Sequence, residues 1–286
     1  MLILGHVRRM VSAMMKIPLE DNFNDVLGKA QRGLQLNDQQ LSVQSNVSVA
    51  DLSRVKEGEF DEAVVRKLAK PLKLRLEALV ELGKKAWYPQ QDGGIPGLAC
   101  FNTTYGDMTV NSYLVWDPKT SHAACFDTGA DCSGMLEAAQ AKNLRIQMIL
   151  LTHTHPDHIA DLARLKQATQ GAAFVSKLEP IDGAETFEVG RKFTLGTLQI
   201  EARLTSGHSR GGVTYVVNGL PRKIAVVGDS MFAGSMGGGN VSYSDALKNN
   251  CEKILTLPED TIICPGHGPL TTVGEEKEHN PFFPDV

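Results

Sequence analysis

Leu150 to His158 reads L-L-T-H-T-H-P-D-H, and the rest of the chain is interpreted outward from it. The apolar run Ile146 to Leu151 predicts a buried strand, and Pro156 followed by D-H-I-A-D-L-A predicts a helix start. The cluster therefore falls at a strand end. His153 and His155 are two residues apart, so near the tip of an extended segment both imidazoles point to one side. Asp157 and His158 follow the turn forced by Pro156 and are placed to face a second metal from the opposite flank. Of the eight histidines in the chain, three fall within these six residues, which a solvated surface loop does not account for.

Three further motifs lie downstream: His208 in T-S-G-H-S-R-G-G, Asp229 in A-V-V-G-D-S-M-F and His267 in I-I-C-P-G-H-G-P. Each follows or interrupts a β-like apolar run at a Gly-rich turn, so each is again expected in a strand-end loop. Five His and two Asp without Cys make a nitrogen and oxygen donor set of borderline hardness. It suits Zn²⁺, Fe or Mn better than an ion that prefers thiolate.

In this order, H-x-H-x-D-H and the three later motifs resemble the metallo-β-lactamase superfamily, over roughly Gly97 to the C-terminus. The resemblance implies an α/β (α+β) chain built on an αββα sandwich. It also implies two divalent metal ions, zinc first, with iron or manganese as alternatives. His153, His155 and His208 would hold one ion and Asp157, His158 and His267 the other, with Asp229 bridging. Two such cations about 3.5–4 Å apart generate a hydroxide between them near neutral pH and polarise the carbonyl under attack. Asp157 and Asp229 are the candidate catalytic carboxylates, steering or accepting the proton of the attacking water.

Length and composition fit this picture. The 286 residues suffice for one large domain and a small one. With 42% hydrophobic and 22% charged residues, the composition is that of a globular protein. A net charge of -4 gives no signal for polyanion binding by the whole chain. The five Cys are scattered and form no C-x-x-C pair, which points away from a disulfide framework and towards a reducing, cytoplasmic setting. No run approaches the roughly 18 apolar residues of a membrane span, and the N-terminus lacks the order of a signal peptide. Residues 1–15 are expected to be a disordered stretch or an extension, since Met10, Met14 and Met15 offer later starts.

Residues 16–88 read as a small all-α unit. From Phe23 to Leu82 apolar residues recur at helical spacing, with breaks at Gly33, Asn46 to Ser48, Gly58 and Pro71. Asn37 is a plausible N-cap for one short helix, and Ser48 for a second, Val49 to Lys56, ending at Gly58. The openings G-L-x-L-x-x-x-x-L and S-x-x-x-L-S-R-x-x-x-G resemble the helix-turn-helix of phage-repressor-like proteins. Yet residues 16–88 hold 12 Lys and Arg against 11 Asp and Glu, and Asp51 shares the second helix with Arg54 and Lys56. No basic footprint results, so homodimerisation or substrate covering is preferred over DNA as this unit's role. Residues 89–97, rich in Pro and Gly, form a linker.

In the domain at 98–286, Leu98 to Thr104, Met108 to Trp116 and Ala123 to Asp127 are predicted as consecutive strands. A helix at Cys132 to Lys142 leads to the ligand-bearing strand. Asp157 to Thr169 is expected as one helix, Ala172 to Val175 as a strand and Phe187 to Leu204 as further strands. Val213 to Val217 and Ile224 to Val227 follow as strands, Ser244 to Leu255 as an amphipathic helix, and Thr261 to Cys264 as the last strand. Asp127 either accepts an N–H from a ligand imidazole or caps its turn. Lys177 is the candidate contact for a substrate carboxylate.

The stretch P-G-H-G-P-x-T-T-x-G-x-E-x-x-x-N-P-F near the C-terminus is similar to glyoxalase II-like thioester hydrolases, and implies a small acyl thioester as substrate. The chain ends soon after this motif, without the additional C-terminal helices that bind glutathione in glyoxalase II. An ester, a lactone or a different thioester therefore stays open. The sister possibilities are a mononuclear-iron persulfide dioxygenase, which shares H-x-H-x-D-H, and a DNA-binding protein regulated by its metal domain.

Overall fold

Alternation in the strands determines how the layers stack. In the computed structural model, which describes residues 16–90 and 94–284, β9 (Val213–Asn218) turns Val213, Tyr215 and Val217 to one face and Val216 to the other. Successive residues of a strand point to opposite sides, so a strand apolar on both faces must lie between two cores.

Among the described residues, twelve strands form two six-stranded sheets. The first runs in sequence order from β1 (Leu98–Tyr105), β2 (Met108–Trp116) and β3 (His122–Phe126) to β4 (Arg145–Leu150), β5 (Ala172–Ser176) and β6 (Glu185–Phe187). Its first three strands are an antiparallel meander and the last four pair in parallel. The first two parallel steps are bridged by α6 (Ser133–Ala141) and by α7 (Pro156–Ile159) with α8 (Leu162–Thr169), and the third, β5 to β6, by a short connection without a helix. The second sheet runs from β7 (Lys192–Leu195), β8 (Leu198–Leu204), β9 and β10 (Ile224–Gly228) to β11 (Ile262–Pro265) and β12 (Thr271–Thr272). Only its β10–β11 step is parallel.

Between the sheets lie Tyr113, Phe126, Phe193, Ile200, Tyr215 and Val226. The outer face of the first sheet packs α6 and α8 through Met135, Ile149, Leu151 and Leu165. These are the αββα layers that the resemblance implied.

The second outer face is covered differently. Val216, Ala225, Val227 and Ile263 share one apolar cluster with Val26, Leu27, Leu68 and Leu79 of the N-terminal helices and with Phe282 and Phe283. Those helices are α1 (Phe23–Gly33), α2 (Asp38–Ser45), α3 (Val49–Lys56), α4 (Glu62–Ala69) and α5 (Leu76–Gly83). The expected caps are present: Asn37 accepts from Gln40 N at 2.8 Å, and Ser48 accepts from Asp51 N at 3.1 Å. The module also grips the C-terminal segment. Arg75 donates to the carbonyls of Lys277, Glu278 and Phe283, and Trp87 stacks on His279 with ring centroids 4.8 Å apart.

Several boundaries differ from the sequence reading. The helix expected over Asp157 to Thr169 is two helices, because Asp161 N donates to Thr128 Oγ1 and the Asp161 carboxylate accepts from Cys132 N. The helix expected over Ser244 to Leu255 ends as α9 (Tyr243–Asn249) and continues as a wider π turn over Asn250–Ile254. There Asn250 points inward and donates to Ser230 O at 2.7 Å. A final helix, α10 (Val273–His279), was not expected, although Thr272 and Glu275 form its capping box. The expectation for residues 1–15 lies outside the described residues, as do linker residues 91–93.

Candidate metal centre

All seven predicted donors meet at one rim of the sandwich, beyond the C-terminal ends of four strands. The loop after β4 supplies His153 and His155, and the first turn of α7 supplies Asp157 and His158. The loops after β8, β10 and β11 supply His208, Asp229 and His267. Strand ends fix these positions because the buried ladders below them cannot shift by one residue without turning their apolar side chains outward.

The donors fall into two groups. His155 Nδ1 lies 3.0 Å from both His153 Nε2 and His208 Nε2. Across from it, Asp157 Oδ2 is 3.3 Å from His267 Nε2 and 3.4 Å from His158 Nε2. Asp229 faces both groups: Oδ1 is 3.3 Å from His158 Nε2, and Oδ2 is 3.4 Å from His208 Nε2 and 3.5 Å from His267 Nε2.

The outer ring nitrogens define the proton positions. His208 Nδ1 faces the Gly238 carbonyl at 3.1 Å and His267 Nδ1 the Thr109 carbonyl at 2.6 Å. Carbonyl oxygens only accept, so both Nδ1 atoms carry the proton and both Nε2 atoms turn lone pairs inward. His158 Nδ1 donates likewise to Asp127 Oδ2 at 2.9 Å. Asp127 also accepts from Thr152 N and Thr152 Oγ1, both at 2.7 Å, so of its two sequence readings it is the imidazole acceptor.

Lone pairs crowded at hydrogen-bond distance repel one another unless a cation lies among them. His158 Nε2 and Asp229 Oδ1 are fully buried and have no hydrogen-bond partner among the described residues, which a buried polar atom does not tolerate without a ligand. Burial alone would lower the His158 and His267 pKa values. Asp229 and Asp127 raise His158 to about 10, and hydrogen bonds to Asp157 and Asp229 raise His267 to about 11. Burial pushes Asp229 up, but the surrounding imidazoles outweigh it and hold the carboxyl well below the usual range. His153 is driven well below the ordinary imidazole value, by burial first and by neighbouring imidazoles second. The cavity favours positive charge, and the donor set fits divalent metal cations.

Glycines shape this pocket. A Cβ on Gly266 would overlap Asp229 Oδ1 and press on His158, and one on Gly237 would overlap the Asp229 carbonyl. Glu179, which no sequence pattern singled out, ties two ligand loops together. It accepts from Thr154 N at 3.1 Å and from Gly211 N at 2.7 Å. Lys177 lies outside the donor groups, exposed and ion-paired with Glu188. In the N-terminal module, Arg54 pairs with Asp51 and Glu59, and Lys56 with Asp38. No helix among the described residues is long and apolar enough to cross a membrane.

Residues 105–267 match the family model of the metallo-beta-lactamase superfamily. The chain belongs to that superfamily. One superfamily relative is the hydroxyacylglutathione hydrolase GloC of Haemophilus influenzae, 27% identical, aligned over 60% of this chain and 92% of its own length. Among solved structures, the BLEG-1 B3 metallo-beta-lactamase is 27% identical with a TM-score of 0.56, covering 65% of this chain and 99% of that one. TTHA1623, solved in a di-iron-bound form, is also 27% identical, with a TM-score of 0.52 and coverage of 64% and 99%. Nearly the whole of each fits within two thirds of this chain.

Proposed function

We propose that this protein is a two-cation hydrolase of acyl thioesters. The observation that carries the reading is the Asp229 carboxylate, which faces both donor groups, with Oδ2 3.4 Å from His208 Nε2 and Oδ1 3.3 Å from His158 Nε2. His153, His155 and His208 would hold one cation and Asp157, His158 and His267 the other, with Asp229 shared. Divalent cations so held lower the pKa of water and polarise the acyl carbonyl. The donor set matches either zinc or iron, and the di-iron form of TTHA1623 supports counting iron alongside zinc.

The chain's own groups keep this arrangement rigid. Asp127, Gly238 O and Thr109 O hold the Nδ1 protons of three imidazoles, which keeps each Nε2 basic and aimed inward. Asp229 is held ionised and is a poor proton acceptor, so its part is to bind. Burial raises Asp157 too, but His267 and His158 keep it lowered, and at 12% side-chain exposure it lies nearer solvent. Asp157 is the better placed of the two to receive the proton lost by an attacking water.

Support for a thioester comes from GloC and from the P-G-H-G-P-x-T-T segment, in which His267 contributes to the second donor group. The ion pairs on Arg54 and Lys56 weigh against reading α3 as a DNA-recognition helix. The test is elemental analysis of the purified protein beside assays of thioester, ester, lactone and persulfide substrates. Two metals per chain with thioester turnover is the expected result. One iron with oxygen uptake on a persulfide would overturn it.

A further inference from the structure

We infer that Thr152 is a positioning residue for His153, and that through its hydroxyl the Asp127 carboxylate aims one imidazole in each donor group. The Thr152 hydroxyl has one proton to give and lies between two partners, Asp127 Oδ2 at 2.7 Å and His153 Nδ1 at 3.1 Å. A carboxylate only accepts, so the proton goes to Asp127 and a lone pair of the hydroxyl oxygen is left facing His153. A metal-binding imidazole is neutral and carries one proton, which this lone pair places on Nδ1. Nε2 is then bare and faces His155 Nδ1 at 3.0 Å, within the first donor group. His153 thereby joins His158, His208 and His267, whose Nδ1 protons are held by Asp127 and by backbone carbonyls.

The hydroxyl is fixed from every side. Thr152 is 1% exposed, its N donates to Asp127 Oδ1 at 2.7 Å, and its carbonyl accepts from Val213 N at 2.8 Å. Gly228, in the left-handed region at φ +52°, passes so close that a Cβ there would stand 2.5 Å from Thr152 Oγ1. A buried side chain so enclosed keeps one rotamer, and with it one hydrogen-bond direction.

A single oxygen serves both groups. Asp127 Oδ2 accepts from His158 Nδ1 at 2.9 Å as well as from Thr152 Oγ1. Three hydrogen bonds therefore run from His153 through Thr152 and Asp127 to His158, joining the two groups without passing through Asp229. In the dry interior such linked bonds polarise and stiffen one another.

The test is long-range proton–nitrogen NMR of the full chain with isotope-labelled histidine, zinc-free and zinc-loaded, beside zinc affinity by chelator competition. His153 is expected with its proton on Nδ1 and its Nε2 signal responding to zinc. Thr152→Val keeps the shape and removes the hydroxyl, and should weaken zinc at the His153 group roughly tenfold or more, with a smaller loss at the His158 group. Thr152→Ser keeps the hydroxyl and should restore most of that affinity, which a purely packing role would not allow. A His153 proton on Nε2, unchanged affinity in Thr152→Val, or equal losses in the Val and Ser variants would each overturn the proposal. Should Thr152→Val fail to fold, the proton position in the unaltered protein decides. What is said of zinc affinity rests on the two-cation reading, whereas the proton position does not. Zinc at only one group would sink that reading, and the His153 proton would still decide this one.

Discussion

Asp229 is the side chain on which both donor groups depend, and Asp127 is the one that aims His158. Asp229→Ala should leave the fold intact while metal content falls and turnover is abolished. Circular dichroism beside elemental analysis checks this, and retained activity would sink the site assignment. Asp127→Asn replaces a carboxylate acceptor with an amide that can present its NH₂ to His158 Nδ1. Loss of such an outer hydrogen bond costs about 10–100-fold in metal affinity, which a chelator competition reads directly. The seven clustered donors were legible in the sequence because metal chemistry restricts side-chain type and the motifs keep those types at strand ends. Glu179, Gly238 O and Thr109 O were not. They act through tertiary contacts or backbone atoms, and no local pattern distinguishes a Glu that bridges two ligand loops from a solvated one.

At the scale of elements, the segment between Asp229 and α9 is held by side chains from outside its own domain. Lys29 of α1 pairs with the Asp21 carboxylate and donates to Met236 O at 2.8 Å, and Asp21 also accepts from Ser235 Oγ. Lys29→Ala would leave a mostly buried carboxylate unpaired, a loss of about 3 kcal/mol in stability. It should also quicken metal release from the His208 side, with Lys29→Arg restoring part of the effect. Glu276 of α10 holds the same segment by accepting from Gly234 N, and burial raises its pKa to about 8 despite the hydrogen bonds that oppose it. Its folded pKa exceeds the ordinary carboxyl value of 4.5, so the stability it contributes is full below pH 4.5 and is lost as pH rises through about 8. Denaturant melts at several pH values should show a shallower decline over that window in Glu276→Gln. Most strands were legible to within a residue or two from their apolar runs, whereas the short β6 and β12 were not. The split of the helix at Asp161 was not, since Thr128, thirty-three residues earlier, supplies the competing acceptor.

At the scale of the molecule, the module and sandwich share a core rather than a linker-spanned gap. Unfolding should therefore be a single event. With Trp116→Phe, Trp87 remains as the sole tryptophan and reports the seam, where it stacks on His279 and lies against Gly234. Its fluorescence transition should coincide with the circular dichroism of the whole chain, and a separate earlier transition would show that the module melts alone. The helical composition of residues 16–88 and the caps at Asn37 and Ser48 were readable from sequence. Which face they turn to the sandwich was not, because an amphipathic helix announces that it needs a partner without naming one.

That shared core restricts how such a chain could be assembled from parts. Val216, Ala225, Val227 and Ile263 point away from the core between the sheets and are greasy because the helices cover them. Grafting the helical portion onto a shorter relative would require rewriting the back of that relative's second sheet as well. The two portions can change only together, so substitutions on one side of the junction should be read with their counterparts on the other.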